Sequence, residues 1–339
     1  MYRAFHQSRL KGAPGVPAQA GWSSCRLLFA WLVFCATAAS AARPATVPVT
    51  PVQISPHAYY VQGMAGEVSH ENQGFNSNAG FVVTDEGVVV FDALGTPALG
   101  AALVRAIRSV TDKPIRRVVV SHYHADHFYG LQALKAQGAE VWAHEAARAY
   151  LASDAPRLRL EERRRSLAPW VDETARIVEP DLWISGDTAF RLGGITFNVH
   201  HVGPAHTAED LALVVAEEGV FFAGDLMFGG RIPFVGDADS KAWLTAIDKL
   251  EKYRPAVLVG GHGTVSRDAA RDLALTREYL VYLRRTMGEA VEAFVPFDEA
   301  YAGTDWSRFS HLPAFAGANR RNAYNTYLLM ERELLSGSK

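Results

Sequence analysis

The chain has 339 residues, 49% of them hydrophobic and 21% charged, enough apolar material for a sizeable core. Its formal net charge of −2 excludes a general nucleic-acid binder, which would carry a clear basic excess. Both cysteines, Cys25 and Cys35, stand near the start, so chemistry further along must come from other side chains.

Residues 1–41 are expected to be a secretory signal. Arg3, Arg9, Lys11 and Arg26 precede an apolar run from Leu27 to Ala39, and Ala39-Ser40-Ala41 supplies small residues for a peptidase. That run is too short to span a bilayer comfortably, since a spanning helix takes roughly 20 apolar residues. Retention as an uncleaved anchor is the alternative. The expected location is therefore periplasmic or secreted, with membrane contact only through the signal segment before cleavage. A remainder without cysteine suits an oxidising compartment.

Residues 42–57, rich in Pro, Ala and Thr, read as an extended lead-in. Residues 58–339 are expected to form one catalytic domain. Asn78 to Val83 and Val88 to Asp92 flank a turn and predict a hairpin. Helical spacing covers 97–110, with Pro97 suited to a first turn. Ile115 to Val120 is a short strand that delivers the chain into Ser121-His122-Tyr123-His124. A short helix near 130–137 and a strand at 139–143 follow. A charged helical stretch over 144–169 precedes strands near 182–184, 189–192 and 195–201. Glu161 stands four residues before Arg165, the spacing of a helix-surface ion pair. Leu211–Ala216 and Val220–Ala223 predict a second hairpin. A helix near 240–252, a buried strand Ala256–Val259, and helices near 266–293 and 318–335 complete the pattern.

His122-Tyr123-His124-Ala125-Asp126-His127 places three imidazoles and a carboxylate within six residues, directly after a strand. His122 and His124 can address one ion while Asp126 and His127 turn to a second. Imidazole with carboxylate suits zinc, iron or manganese. Alone, such a run also fits a solvated loop. Three further segments argue against that: Gly203-Pro204-Ala205-His206, Gly224-Asp225 and Gly260-Gly261-His262 each bring a ligand type to a strand end. Asp92 and Asp210 are balanced between supporting these ligands and forming turns. His70, His144, His200, His201 and His311 are read as surface or packing residues, and Arg163–Arg165 as a solvated helix face that could alternatively rim a cleft and attract anions.

Over residues 60–270 these motifs resemble the metallo-β-lactamase superfamily. The resemblance implies an α/β fold, an αβ/βα four-layer sandwich with the metal site at one sheet edge. It implies that His122, His124 and His206 hold one ion, that Asp126, His127 and His262 hold another, and that Asp225 bridges them. Two zinc ions would then share a bridging hydroxide for attack on an ester, thioester, lactone or related carbonyl of a small molecule, with Asp126 as catalytic proton shuttle. The Asp at position 225 resembles glyoxalase-II-like hydrolases rather than β-lactamases, which carry Cys or Ser there or a changed first motif. The run FFAGDLMFGGRIPFVGD resembles exported hydrolases that accompany sulfur-oxidation and quinoprotein systems. The alternative on the same fold is a sulfur (persulfide) dioxygenase with one iron on His122, His206 and Asp225. Neither substrate nor oligomeric state is legible.

Overall fold

The computed structural model describes residues 43–337, so the expected signal segment lies outside the described residues. The lead-in is less plain than its composition suggests. Pro51–Gln53 forms β1, an exposed edge strand paired antiparallel with β2 (Ala58–Val61). The predicted hairpin is β3 (Ala79–Thr84) and β4 (Gly87–Phe91). Helix α1 (Pro97–Val110) starts where Thr96 Oγ1 accepts from the Leu99 amide and Pro97 occupies the first turn. Next come β5 (Ile115–Val119), the short α2 (Ala125–Phe128) and α3 (Leu131–Lys135), and β6 (Glu140–His144).

The charged stretch that reads as one helix is two, α4 (Ala147–Leu151) and α5 (Ala155–Ser166), broken around Ser153 and Asp154. Glu161 pairs with Arg157 at 2.8 Å, in the N-terminal direction and not with Arg165. β7 (Leu182–Ile184), β8 (Thr188–Leu192), β9 (Ile195–His201), β10 (Leu211–Val215) and β11 (Val220–Phe228) follow. After α6 (Ser240–Tyr253) and β12 (Val257–His262), the chain ends in α7 (Ala269–Glu292), α8 (Phe297–Gly303) and α9 (Phe315–Gly337). Among the described residues no helix is long and apolar enough to cross a membrane.

The strands form two sheets. The first runs β1-β2-β3-β4-β5-β6-β7, antiparallel up to β4 and parallel from there; the second runs β12-β11-β10-β9-β8. Alternation along single strands assigns the layers. Val88 and Val90 of β4 pack outward with Leu99, Leu103 and Ile107 of α1. Val89 and Phe91 turn inward to Phe197, Leu213 and Phe222 of the second sheet. Phe221 then faces the other way, into Trp243, Ile247, Leu280 and Leu283 of α6 and α7. A period of two on strands buried on both faces yields helix, sheet, sheet, helix. This is the expected αβ/βα sandwich. Phe91 and Phe222 meet across the middle at 5.8 Å, and the sheets approach so closely at Gly80 that a Cβ there would lie 2.1 Å from the Phe222 ring.

Candidate metal centre

The donors come from both sheets and meet at one edge. Beyond β5 the chain passes through Ser121 to His124, and His124 begins α2 with an extended backbone, so Asp126 and His127 lie one helical turn onward. His206 sits in the loop between β9 and β10. The other two donors differ from the expectation that each ligand lies beyond its strand. β11 continues through Asp225 to Phe228, and its register against β12 shifts around Gly224, whose φ is +53°. That bulge turns Asp225 toward the site. His262 is the last residue of β12. Gly261 beside it has no room for a side chain, because a Cβ would sit 1.9 Å from Asp225 Oδ1.

The seven side chains converge as two sets of donor atoms, one from His122, His124, His206 and Asp225, the other from Asp126, His127 and His262. In the first, His124 Nδ1 lies 3.1 Å from His122 Nε2 and 2.9 Å from His206 Nε2, and Asp225 Oδ2 is 3.3 Å from His206 Nε2 and 3.9 Å from His122 Nε2. In the second, His127 Nε2 and His262 Nε2 stand 3.7 and 3.4 Å from Asp126 Oδ2, and 3.2 and 3.4 Å from Asp225 Oδ1. The Asp225 carboxylate thus gives one oxygen to each set.

The spacing fits metal ions. Ligand atoms about 2.0–2.1 Å from a tetrahedral zinc are roughly 3.4 Å from one another. His127 Nε2 and Asp225 Oδ1 are buried and make no hydrogen bond, which is costly for polar atoms unless a cation satisfies them. The opposite ring nitrogens are occupied elsewhere. His262 Nδ1 lies 2.6 Å from the Asn76 carbonyl and His127 Nδ1 lies 2.8 Å from Asp92 Oδ2. His122 Nδ1 lies 2.9 Å from Ser121 Oγ, which donates to Asp92 Oδ2 at 2.8 Å. With those Nδ1 atoms donating, each Nε2 presents a lone pair once its ring is neutral.

Asp92 therefore supports the donor rings, and the open choice between support and turn resolves as both: it follows β4 with φ of +63° and accepts the Ser121 amide at 2.7 Å. Asp210 holds the His206 loop by accepting from the Thr207 amide and hydroxyl, both at 2.7 Å. Its burial pushes its carboxyl well above the usual range. Burial opposes ionisation of Asp225 too, but His262 and His127 beside it hold it well below that range. Burial takes His206 down to about 3. Asp126 is held at about 2, burial being outweighed by His127 and His262.

Asn76 and Asn78 went unread in the sequence. Asn76 donates to Asp126 Oδ2 at 3.1 Å besides holding His262, and Asn78 donates to the Gly260 and Gly263 carbonyls at 2.9 Å each. The signal was present as Asn76-Ser77-Asn78 before an apolar strand, but that composition equally reads as a turn. His70, His144, His200 and His201 fall outside both donor sets: His144 stacks on His201 at 3.6 Å, His200 pairs with Asp187, and His70 packs on Trp170. A cavity of about 360 Å³ opens over the donors, and Arg159, Arg163, Arg231 and Arg321 are among its lining residues. The Arg163–Arg165 run divides. Arg163 faces this cavity, Arg164 binds the Asp172 and Ala175 carbonyls, and Arg165 is exposed.

The sequence profile of the Metallo-beta-lactamase superfamily matches residues 72–262. Curated relatives include metallo-beta-lactamase IND-1 of Chryseobacterium indologenes, 23% identical over 62% of this chain and 78% of the relative. Linear primary-alkylsulfatase of Pseudomonas sp. is 22% identical over 58% of this chain and 44% of its own length. Hydroxyacylglutathione hydrolase GloC of Haemophilus influenzae is 24% identical over 56% and 87%. Among solved structures, the inverting sec-alkylsulfatase Pisa1 from Pseudomonas sp. superposes with a TM-score of 0.65 at 21% identity, covering 83% of this chain and 50% of that one. A metallo-beta-lactamase from Pontibacter korlensis gives 0.52 at 24% identity, covering 68% and 98%. The chain thus spans only about half the length of the alkylsulfatases it resembles.

Proposed function

Because the chain belongs to the metallo-β-lactamase superfamily, we propose that it is an exported binuclear zinc hydrolase acting on an ester, thioester, lactone or related carbonyl compound. The observation that carries this reading is the Asp225 carboxylate, whose two oxygens divide between two donor sets built from imidazole and carboxylate alone. The names of the relatives cover a β-lactamase, an alkylsulfatase and a hydroxyacylglutathione hydrolase; hydrolysis is common to them and the substrate is not. Export rests on the basic, apolar and small-residue order of residues 1–41.

Two zinc ions on these residues would supply hydroxide near neutral pH and an electrophile for a carbonyl oxygen. The chain supplies the rest. Asp92, Ser121 and Asn76 fix ring orientation, so the donor set is preorganised before any ion arrives. Asp126 turns Oδ2 to the second set and to Asn76, leaving Oδ1 without a partner among the described residues. Ionised and facing the cavity, it can take a proton from the attacking water and hand it to the leaving group. Val68 and Phe234 line the same cavity and exclude solvent from its wall.

Elemental analysis of protein exported to a bacterial periplasm, followed by an ester, lactone, thioester and β-lactam panel, tests the proposal. About two zinc ions per chain are expected, with turnover of one carbonyl class and a mature N-terminus near Ala42. One iron per chain, with oxygen consumed on a persulfide, would overturn it in favour of the dioxygenase. An intact Met1 on the secreted protein would remove the leader.

A further inference from the structure

The donor rings are not all held in the same way. Nδ1 of His122, His127 and His262 has a polar partner, whereas Nδ1 of His206 is buried and has none among the described residues. A neutral His206 that turns an Nε2 lone pair to an ion carries its proton on that same Nδ1, so no hydrogen bond there sets the angle of the ring. Its surroundings are aromatic instead. The ring meets Trp243 at 5.1 Å and 69°, Phe228 at 6.0 Å and 62°, and Phe234 at 6.4 Å and 68°. Edge-to-face contacts of this kind favour one relative orientation.

Phe228 belongs to β11 and Trp243 to α6, where its Nε1 also donates to the Leu226 carbonyl at 3.2 Å. Phe234 is on neither helix nor strand; it is half-buried in the connection between β11 and α6. Its seat comes from α9. Asn322, fully buried, accepts from the Val235 amide at 2.9 Å and donates to the Pro233 carbonyl at 2.7 Å, gripping the backbone on both sides of Phe234. Its other amide hydrogen goes to the Tyr279 hydroxyl at 3.0 Å, so the grip is itself fixed. Asn325, one turn on, donates to the Gly236 carbonyl at 2.8 Å. A Cβ on Gly236 would lie 3.0 Å from Phe234 Cε1, so the ring rests against bare backbone. From this seat Phe234 also meets the His124 ring at 6.0 Å and 75°.

We propose that Phe234 is a positioning residue for the first donor set, bracing the His206 and His124 rings by packing, and that Asn322 of α9 holds Phe234 in place to do so. The consequence for metal binding rests on the metal-hydrolase reading; the packing itself does not. The second set needs no such brace, because Asp92 and the Asn76 carbonyl hold its rings. The competing view is a loop anchor, with Asn322 serving stability alone. Asn319 separates the two. It is as buried as Asn322 and lies one turn before it in the same network, yet its side chain bonds to Tyr279 and Tyr301 and not to the Phe234 loop.

Cobalt affinity, measured by chelator competition in two single-site backgrounds, tests this. In His262→Ala the ion that remains is the first set's, and in His206→Ala it is the second set's. Phe234→Ala and Asn322→Ala should each weaken cobalt binding about ten-fold in the first background and leave it unchanged in the second. Asn319→Ala should lower the melting temperature and leave both affinities alone. Unchanged affinity in the first background, or equal losses in both, overturns the proposal. If Asn322→Ala does not fold, the half-buried Phe234→Ala carries the same comparison. Carbon relaxation of the histidine rings in the metal-free chain gives a reading that needs no ion. In both variants the His206 and His124 rings should become mobile together while His127, held by Asp92, stays rigid; rings as rigid as in the wild type refute the brace. Failure of both backgrounds to bind cobalt would count against the metal reading, and the relaxation result then decides the brace by itself.

Discussion

Asp225 and His262 neighbour each other at the centre, yet their chemistry separates them. A carboxylate has two oxygens, and those of Asp225 face different donor sets; the imidazole of His262 spends Nδ1 on Asn76 and has one nitrogen left for one set. Asp225→Ala should therefore lower zinc content toward zero, and Asp225→Asn nearly as far, because the amide keeps the shape but loses the charge that screens two dications from each other. His262→Ala should retain close to one equivalent. Zinc per chain in the three purified variants checks this, and two equivalents in either Asp225 variant would sink the bridging role. A strand-end turn residue would show only a stability change.

Among the connecting elements, Asp181 joins β6, β7 and α3. Its Oδ2 accepts the Val141 amide at 2.8 Å and its Oδ1 accepts from Lys135 Nζ at 2.5 Å. Partial burial works against its ionisation, but the Lys135 and Val141 contacts win and hold the carboxyl below its ordinary 3.8. A lowered folded pKa stabilises above the unfolded value and is lost as pH falls through the folded one. Urea unfolding free energies of wild type and Asp181→Asn should thus differ at pH 7 by at most about 1 kcal/mol, since the pair is largely exposed, and the gap should close as pH falls below the ordinary carboxylate range and through the lowered folded value. A gap that persists in acid would mean the loss is packing rather than charge. Elements of this kind show what the sequence can reveal. Asp126 and His127 were legible because they share six residues with His122 and His124, and Asp225 and His262 because apolar strands lead into them. α1 was legible from Thr96, Pro97 and its spacing. Arg231, Asn76 and Asn78 were not, because their partners lie far along the chain: Gly66 is 165 residues from Arg231 and Gly260 is 182 from Asn78. No local period records such contacts. The division of 144–169 into α4 and α5 was hidden for a different reason, a charged segment with too few apolar positions to mark where one helix face ends.

Across the whole molecule, the centre joins two halves that are also held by apolar packing and by polar cross-links such as those from Asn78 to the Gly260 and Gly263 carbonyls. The first half supplies His122, His124, Asp126 and His127 beyond β5; the second supplies His206, Asp225 and His262 from β9 to β12. The clusters between and outside the sheets are apolar, and of the seven donors His206 and His262 pack on Trp243 and Phe228 of one of them as neutral rings would, so the sandwich should fold without metal. What the metal-free chain lacks is a cation among carboxylates buried at the junction. His127 compensates by holding its proton well above the ordinary range, burial notwithstanding, because Asp225, Asp126 and Asp92 surround it. Ions binding only the folded form stabilise it by mass action, about 4 kcal/mol at a thousand-fold excess over Kd. For a chain of this size each kcal/mol moves the melting temperature by roughly 1.5–2 °C. Chelation should therefore lower the melting temperature by roughly 6–8 °C while keeping a single transition, and zinc should restore it. His262→Ala should recover only part of the shift on zinc addition, and Asp225→Ala almost none, since only the latter disturbs both sets. A wild-type melting temperature indifferent to chelation and zinc would show that no ion ties the two sheets together, however well the donor atoms are spaced.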